Sequence, residues 1–157
     1  MPRRPPRLPP MLAEFDDDER EAVLAANRAF YRAFTERDFD AMELIWAPTG
    51  AMVCLHPGQA PLHERTDILR SWRGILGHPE APKVRCTDEW LVGRNGLAIV
   101  VCREILANGQ LMATNTFVRL SSGWHMVGHH SGPVPSVERR TTAASAVAPT
   151  RDRRKLH

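Results

Sequence analysis

The sequence predicts an α+β fold in which about three N-terminal helices pack on one face of a curved antiparallel sheet. Two observations carry this. Apolar residues recur at helical spacing through the first half of the chain and at period two from Val84 onward. The turn signals Arg94-Asn95-Gly96, Asn108-Gly109 and Ser121-Ser122-Gly123 cut the second half into runs of strand length. Helices gathered ahead of a meander belong on one side of a sheet, not between its strands. The sequence contains no internal repeat.

Asp18-Glu19-Arg20-Glu21 reads as a variant capping box with Asp18 as N-cap. Val23, Ala26, Phe30 and Phe34 then carry a helix to about Glu36. Asp38 caps a shorter helix bearing Phe39, Met42, Ile45 and Trp46, which Pro48 ends. Ala51 to Leu55 is a short strand opening into His56-Pro57-Gly58. Ile68, Leu69, Trp72, Ile75 and Leu76 form one face of a third helix starting at Thr66 and closed by Gly77 and Pro79. Val84, Cys86, Trp90 and Val92 point one way from the first meander strand. Leu97–Leu106, Leu111–Leu120 and Trp124–Ser131 supply the other three. Asn-Gly suits the hairpins because both residues tolerate positive φ.

The 157 residues form one domain with two tails. Residues 1–13 hold five of the thirteen prolines and three arginines, and residues 136–157 are small, polar and basic. Neither has the apolar area to offset chain entropy, so both are expected to be disordered around a folded unit at 14–135. The tails carry nine of the 21 Lys and Arg and only two acids, leaving the body twelve bases against sixteen acids, a net −4 despite the overall +3. A mildly acidic body excludes specific nucleic-acid binding, which needs a cationic face. The run Arg151-Asp152-Arg153-Arg154-Lys155 reads as a solvated terminus, with weak contact to an acidic partner as its functional alternative. Cys54, Cys86 and Cys102 are odd in number, lack a CxxC and lie in apolar runs, so they read as buried, reduced thiols. Prolines replace the apolar stretch of a signal peptide, and no run reaches the ~20 apolar residues of a membrane helix. A cytoplasmic protein without membrane partner, metal or cofactor is expected.

The candidate site residues are each open to a plain structural reading. His129 and His130, neighbours on a strand, face opposite ways and cannot share an ion. His125 and His129 share a face but stand about 13 Å apart at ~3.3 Å per residue. One of His129 and His130 must face the helix-covered side, where it either exchanges a proton near neutral pH or simply hydrogen-bonds its surroundings. Asn115, mid-strand, must find partners, either neighbouring Thr114 and Thr116 or a ligand. Glu104 is the best carboxylate candidate for a general base, although Arg103 and Arg119 suggest a cross-strand ion pair. His56 sits at a strand-to-loop junction, where functional groups gather, in what is equally a His-Pro-Gly turn. Trp46, Trp72 and Trp90 fall at core spacing and can also line a pocket. No Ser-His-Asp order, P-loop or dinucleotide fingerprint occurs, and Cys54 has no nucleophile signature.

The order of a long helix, a short helix in FDAMELIWAP, a strand, a third helix and four strands ending in GWHMVGHHSGP resembles the nuclear transport factor two-like superfamily. It is most similar to the SnoaL-like branch and to the association domain of calcium/calmodulin-dependent protein kinase II. The likeness spans about Phe15 to Pro135. It implies a cone-like α+β barrel with a pocket on the concave face and a homodimer formed through the convex face. It also implies a small organic ligand or an assembly role, with an acid–base enzyme using His56 or His130 as the alternative. The expected pocket comprises Trp46, His56, Trp72, Glu104, Asn115, His129 and His130. Where ketosteroid isomerases of the superfamily carry a tyrosine, a basic aspartate and a buried aspartic acid, this chain has Phe30 beside Tyr31, Cys54 or His56, and Thr116 beside Asn115. That mechanism is therefore not expected.

Overall fold

The computed structural model describes residues 15–134; both expected tails lie outside them. Three helices cover one face of a five-stranded sheet, in the order α1 (Asp17–Glu36), α2 (Phe39–Ile45), β1 (Val53–Leu55), α3 (Arg65–Gly77), β2 (Arg85–Arg94), β3 (Leu97–Leu106), β4 (Gly109–Leu120) and β5 (Gly123–Pro133). The spatial order is β1-β5-β4-β3-β2. β2 to β5 form an antiparallel meander, but β1 runs parallel to β5, so the sheet is mixed where the sequence suggested a purely antiparallel one. A bridge between Cys54 and Leu62 covers the outer edge of β1, which removes an open pairing edge.

α1 starts two residues earlier than expected. Asp16, not Asp18, is its N-cap and accepts the Glu19 N–H at 2.8 Å. Each aspartate of the run 16–18 can cap a helix. Tertiary packing selects the first, because Phe15 ahead of it is held against the Trp124 ring (5.3 Å) and over Gly93, where a Cβ would overlap its ring. Arg37 ends α1 in the left-handed region, φ 58°, with its N–H reaching the Ala33 and Phe34 carbonyls. Asp38 caps α2 as expected. The core forms between helices and sheet, with Trp46, Trp72, Phe30, Phe117, Met42 and Ile68 fully buried. Truncating one of these large side chains would cost about 3–5 kcal/mol.

Two bulges decide which residues face the helices. In β2 the register jumps between Thr87 and Trp90, so Asp88 and Glu89 together oppose one residue of β3, with Asp88 at φ 54°. One extra residue inverts the alternation. Val84 and Cys86 face inward before the bulge, and Glu89 and Leu91 after it. Trp90 and Val92 turn outward, Trp90 being 71% exposed, so neither joins the core as period two alone suggested. In β5 the jump falls between the partners of Thr116 and Phe117, leaving Val127 unpaired. Met126 is buried before it, His129 and Ser131 after it. The β2–β3 turn uses Asn95 (φ 38°) and Gly96 (φ 80°) as expected. The next turn is made by Ala107-Asn108 without positive φ, Leu106 pairing directly with Gly109.

Candidate functional site

Between α1, α3 and the sheet lies a cavity of about 270 Å³. Phe34, Trp72, Ile75, Val84, Leu106 and Leu111 form its apolar walls, and His56, Glu104, His129 and Ser131 supply its polar atoms. The exposed residues Pro57, Gln59 and Pro82 stand where it meets solvent. A wider groove of about 710 Å³ runs alongside, over residues 81–85 and 105–108, and shares Pro82, Val84 and Leu106 with it. Among the described residues that groove is lined by no buried polar side chain; the buried polar atoms face the smaller cavity.

Glu104 reaches the cavity because it follows Val100 and Cys102 on the inward face of β3. It is 3% exposed. One carboxylate oxygen accepts from the Tyr31 hydroxyl at 2.8 Å and the other from Ser131 Oγ at 2.6 Å. No cation pairs with it among the described residues, contrary to the expected ion pair: Arg103 binds Asp88 and Gln110, and Arg119 binds Glu19. Arg103 projects from the outer face of β3, while Arg119 lies on the helix-covered face of β4 but at its far end, against α1. Burial raises the Glu104 pKa above its ordinary value, while the Ser131 and Tyr31 hydrogen bonds lower it. Burial, followed by the Glu104 charge, raises the Tyr31 hydroxyl, which therefore stays protonated.

His129 is packed among Phe30 (5.0 Å), Trp72 (5.7 Å) and His56 (6.3 Å). Its Nδ1 is 2.7 Å from Asn115 Oδ1. Burial is the largest influence on its pKa, with the neighbouring His56 and His130 adding to it, and together they lower it to about 3. His56 packs edge-on to Trp72 at 4.9 Å, with Nε2 2.6 Å from Ser71 Oγ and 3.6 Å from Cys54 Sγ. Burial lowers its pKa too. Both imidazoles are neutral hydrogen-bonding groups, and Glu104 is the cavity carboxyl, its affinity for a proton increased by burial. Burial pushes the Cys54 thiol up to about 12, so it is no thiolate nucleophile.

The expected site residues thus divide. His56, Trp72, Glu104 and His129 converge on one cavity. His130 is exposed on the other face of β5 and does not join them. Trp46 is buried against β5, bridging to Met126 outside the cavity. Asn115 is fully buried behind the lining, bonded to Asn27, Tyr31 and His129 rather than to Thr114 or Thr116. His125 does not share the face of His129, because the Val127 bulge separates them; it meets Ser122 and the Leu44 carbonyl. Sequence reasoning missed Tyr31, Asn27, Glu89 and Ser131. Ser131 was within reach, being two residues from His129 on one strand face. Asn27 and Tyr31 lie four and eight residues beyond Val23, on the buried stripe of α1. Glu89 was not accessible, since only the bulge turns it inward. Among the described residues no group of three His, Cys, Asp or Glu is placed to hold a metal.

A family model described as a SnoaL-like domain matches residues 23–135. Among solved structures, the chain is similar to a provisionally assigned dehydratase of the nuclear transport factor two-like family from Streptomyces avermitilis. That likeness has 29% identity and TM-score 0.71, covering 78% of this chain and all of the other. A provisionally assigned calcium/calmodulin-dependent protein kinase type II association domain from Thiobacillus denitrificans is 30% identical with TM-score 0.65, covering 71% of this chain and 94% of that one. The F-box protein SKIP8 of Arabidopsis thaliana is 21% identical over 119 residues, covering 70% of this chain and 48% of that protein. The chain thus spans about half the length of that curated relative.

Proposed function

The chain belongs to the SnoaL-like domain family, and from that membership we propose that it binds a small, largely apolar organic molecule in the Glu104–His129 cavity and performs acid–base chemistry on it. Glu104 carries the proton, while neutral His129 and His56 orient the ligand. One observation supports this most: Glu104 is a buried carboxylate held by two hydroxyls and, among the described residues, by no cation, on the wall of an apolar cavity. An uncompensated buried charge costs several kcal/mol, a cost that a purely structural position sheds by substitution. Perturbed carboxyls in clefts mark functional sites. The provisional dehydratase assignment of the Streptomyces avermitilis protein is in keeping with such chemistry. Acid–base catalysis by His56 or His130 is less well supported, since one is held neutral by burial and the other lies off the cavity.

A thermal-shift screen with small hydroxyl and carbonyl compounds tests the reading, because a ligand that binds only the folded state raises its stability. Hits should stabilise the wild type and His130→Ala alike and lose their effect in His129→Ala. Glu104→Gln, which removes the buried charge, should be about 1–3 kcal/mol more stable than wild type without ligand. A Glu104→Gln variant that is less stable, or hits abolished by His130→Ala, would contradict it.

The same reading includes a homodimer through the convex sheet face, supported by the outward apolar side chains of Trp90, Val92 and Leu97, which are 71%, 52% and 46% exposed. Three free thiols suit a reducing cytoplasm. No described helix is long and apolar enough to cross a membrane.

A further inference from the structure

A chain of hydrogen bonds runs from the protein surface to the cavity, and each link fixes the direction of the next. At the outer end Glu89 is paired with Arg28, whose Nε lies 3.1 Å from one carboxylate oxygen. The other oxygen is 2.9 Å from Asn27 Nδ2. A carboxylate so paired only accepts, so the Asn27 amide must present its NH₂ to Glu89 and its Oδ1 inward. That oxygen accepts from Asn115 Nδ2 at 2.8 Å, and the same NH₂ also donates to the Tyr31 hydroxyl at 3.0 Å. Both Asn115 amide protons are thus used, and its Oδ1 is left facing His129 Nδ1 at 2.7 Å. A carbonyl oxygen cannot donate, so Nδ1 carries the imidazole proton. His129 Nε2 is left as a bare lone pair, with no hydrogen-bond partner among the described residues, on a ring that lines the cavity. The second branch runs the same way, since Tyr31, accepting from Asn115, must give its own proton to Glu104.

We propose that Glu89, acting through Asn27 and Asn115, sets the tautomer of His129, and that the cavity therefore selects a small uncharged ligand offering a hydroxyl or other hydrogen-bond donor to Nε2. The ligand half rests on the pocket reading above; the tautomer half stands without it. Both groups at the polar end, His129 Nε2 and the Glu104 carboxylate, accept hydrogen bonds, so a ligand bearing only a carbonyl leaves them unpaired. Among the described residues no Lys or Arg lines the cavity, and an anionic ligand would meet the Glu104 charge there. A volume of about 270 Å³ equals that of roughly nine liquid waters, enough for one substituted six-membered ring. Glu89, Asn27 and Asn115 are positioning residues and touch no ligand.

Long-range ¹⁵N spectra of the histidine rings read the tautomer directly in the wild-type protein, without dependence on any variant folding. The expected spectrum has His129 protonated at Nδ1 and bare at Nε2; protonation at Nε2 overturns the proposal outright. Glu89→Leu should mix the two tautomers, an effect that loss of packing alone would not produce, and an unchanged tautomer removes Glu89 from its role. Titration with phenol, anisole, toluene and benzoate tests the ligand half. Phenol should bind about tenfold or more tightly than anisole and toluene, the size of one hydrogen bond to a desolvated acceptor, and benzoate should not bind. Anisole or toluene matching phenol overturns the donor preference while leaving the pocket reading intact. If no probe binds, the pocket reading falls and the ligand class falls with it, while the ring spectrum still decides the tautomer.

Discussion

His129 shows how one residue's surroundings dictate its chemistry. Its strand position was readable in the sequence, and so was the fact that only one of His129 and His130 faces the helices. Which one does so depends on the bulge at Val127, which no local signal announces. Once inside, the ring is held neutral by burial, with a pKa lowered to about 3 against an ordinary value of 6.5. The unfolded chain takes up a proton below pH 6.5 that the folded protein refuses, so stability is lost as pH falls from about 6.5 toward about 3. His129→Gln keeps a donor for Asn115 and removes the titration. Relative to wild type, the variant should gain several kcal/mol on acidification across that window. Urea unfolding of both proteins between pH 4 and 7.5 measures this, and a pH-independent difference would contradict it. Glu104 runs the other way, its raised pKa eroding stability as pH rises above 4.5, which is why only the difference between variant and wild type isolates His129.

At the level of elements, α2, β3 and the ends of α1 and α3 follow closely from capping residues and apolar spacing. β2 does not. Period two placed Val84, Cys86, Trp90 and Val92 on one face, but the extra residue at Asp88-Glu89 turns the last two outward and brings Glu89 onto Asn27. A sequence window cannot see this, because a bulge is settled by pairing with the opposite strand. The parity error and the missed Glu89 have the same origin. Asp88 holds the bulge in the left-handed region, where a side chain with a branched Cβ is strained. Asp88→Gly should be within about 0.5 kcal/mol of wild type, losing only an exposed ion pair with Arg103. Asp88→Val should cost about 1–2 kcal/mol more than Asp88→Gly. Equal denaturation midpoints for the two variants would show that the bulge does not need this backbone geometry.

On the scale of the whole molecule, the helices cover one face of the sheet and enclose the cavity, while the other face keeps large apolar side chains in solvent. The superfamily resemblance anticipated this division from the order of elements and the closing GWHMVGHHSGP, where composition alone reached only α+β. If the convex face pairs two copies, Trp90→Lys should convert a dimer into a monomer in analytical ultracentrifugation, with the cavity and its ligand response unchanged; a wild type already monomeric at high concentration would contradict the pairing. Within the cavity the side chains act as one unit. Tyr31 and Ser131 hold Glu104, Asn115 holds His129, and no cation among the described residues offsets the carboxylate. Its acid–base role is tested most directly by a ¹³C-detected titration of the Glu104 carboxyl in the intact protein. The midpoint should lie above the ordinary 4.5, in the direction burial drives it; a midpoint at or below 4.5 would mean that the charge is fully compensated and that Glu104 is not the proton carrier.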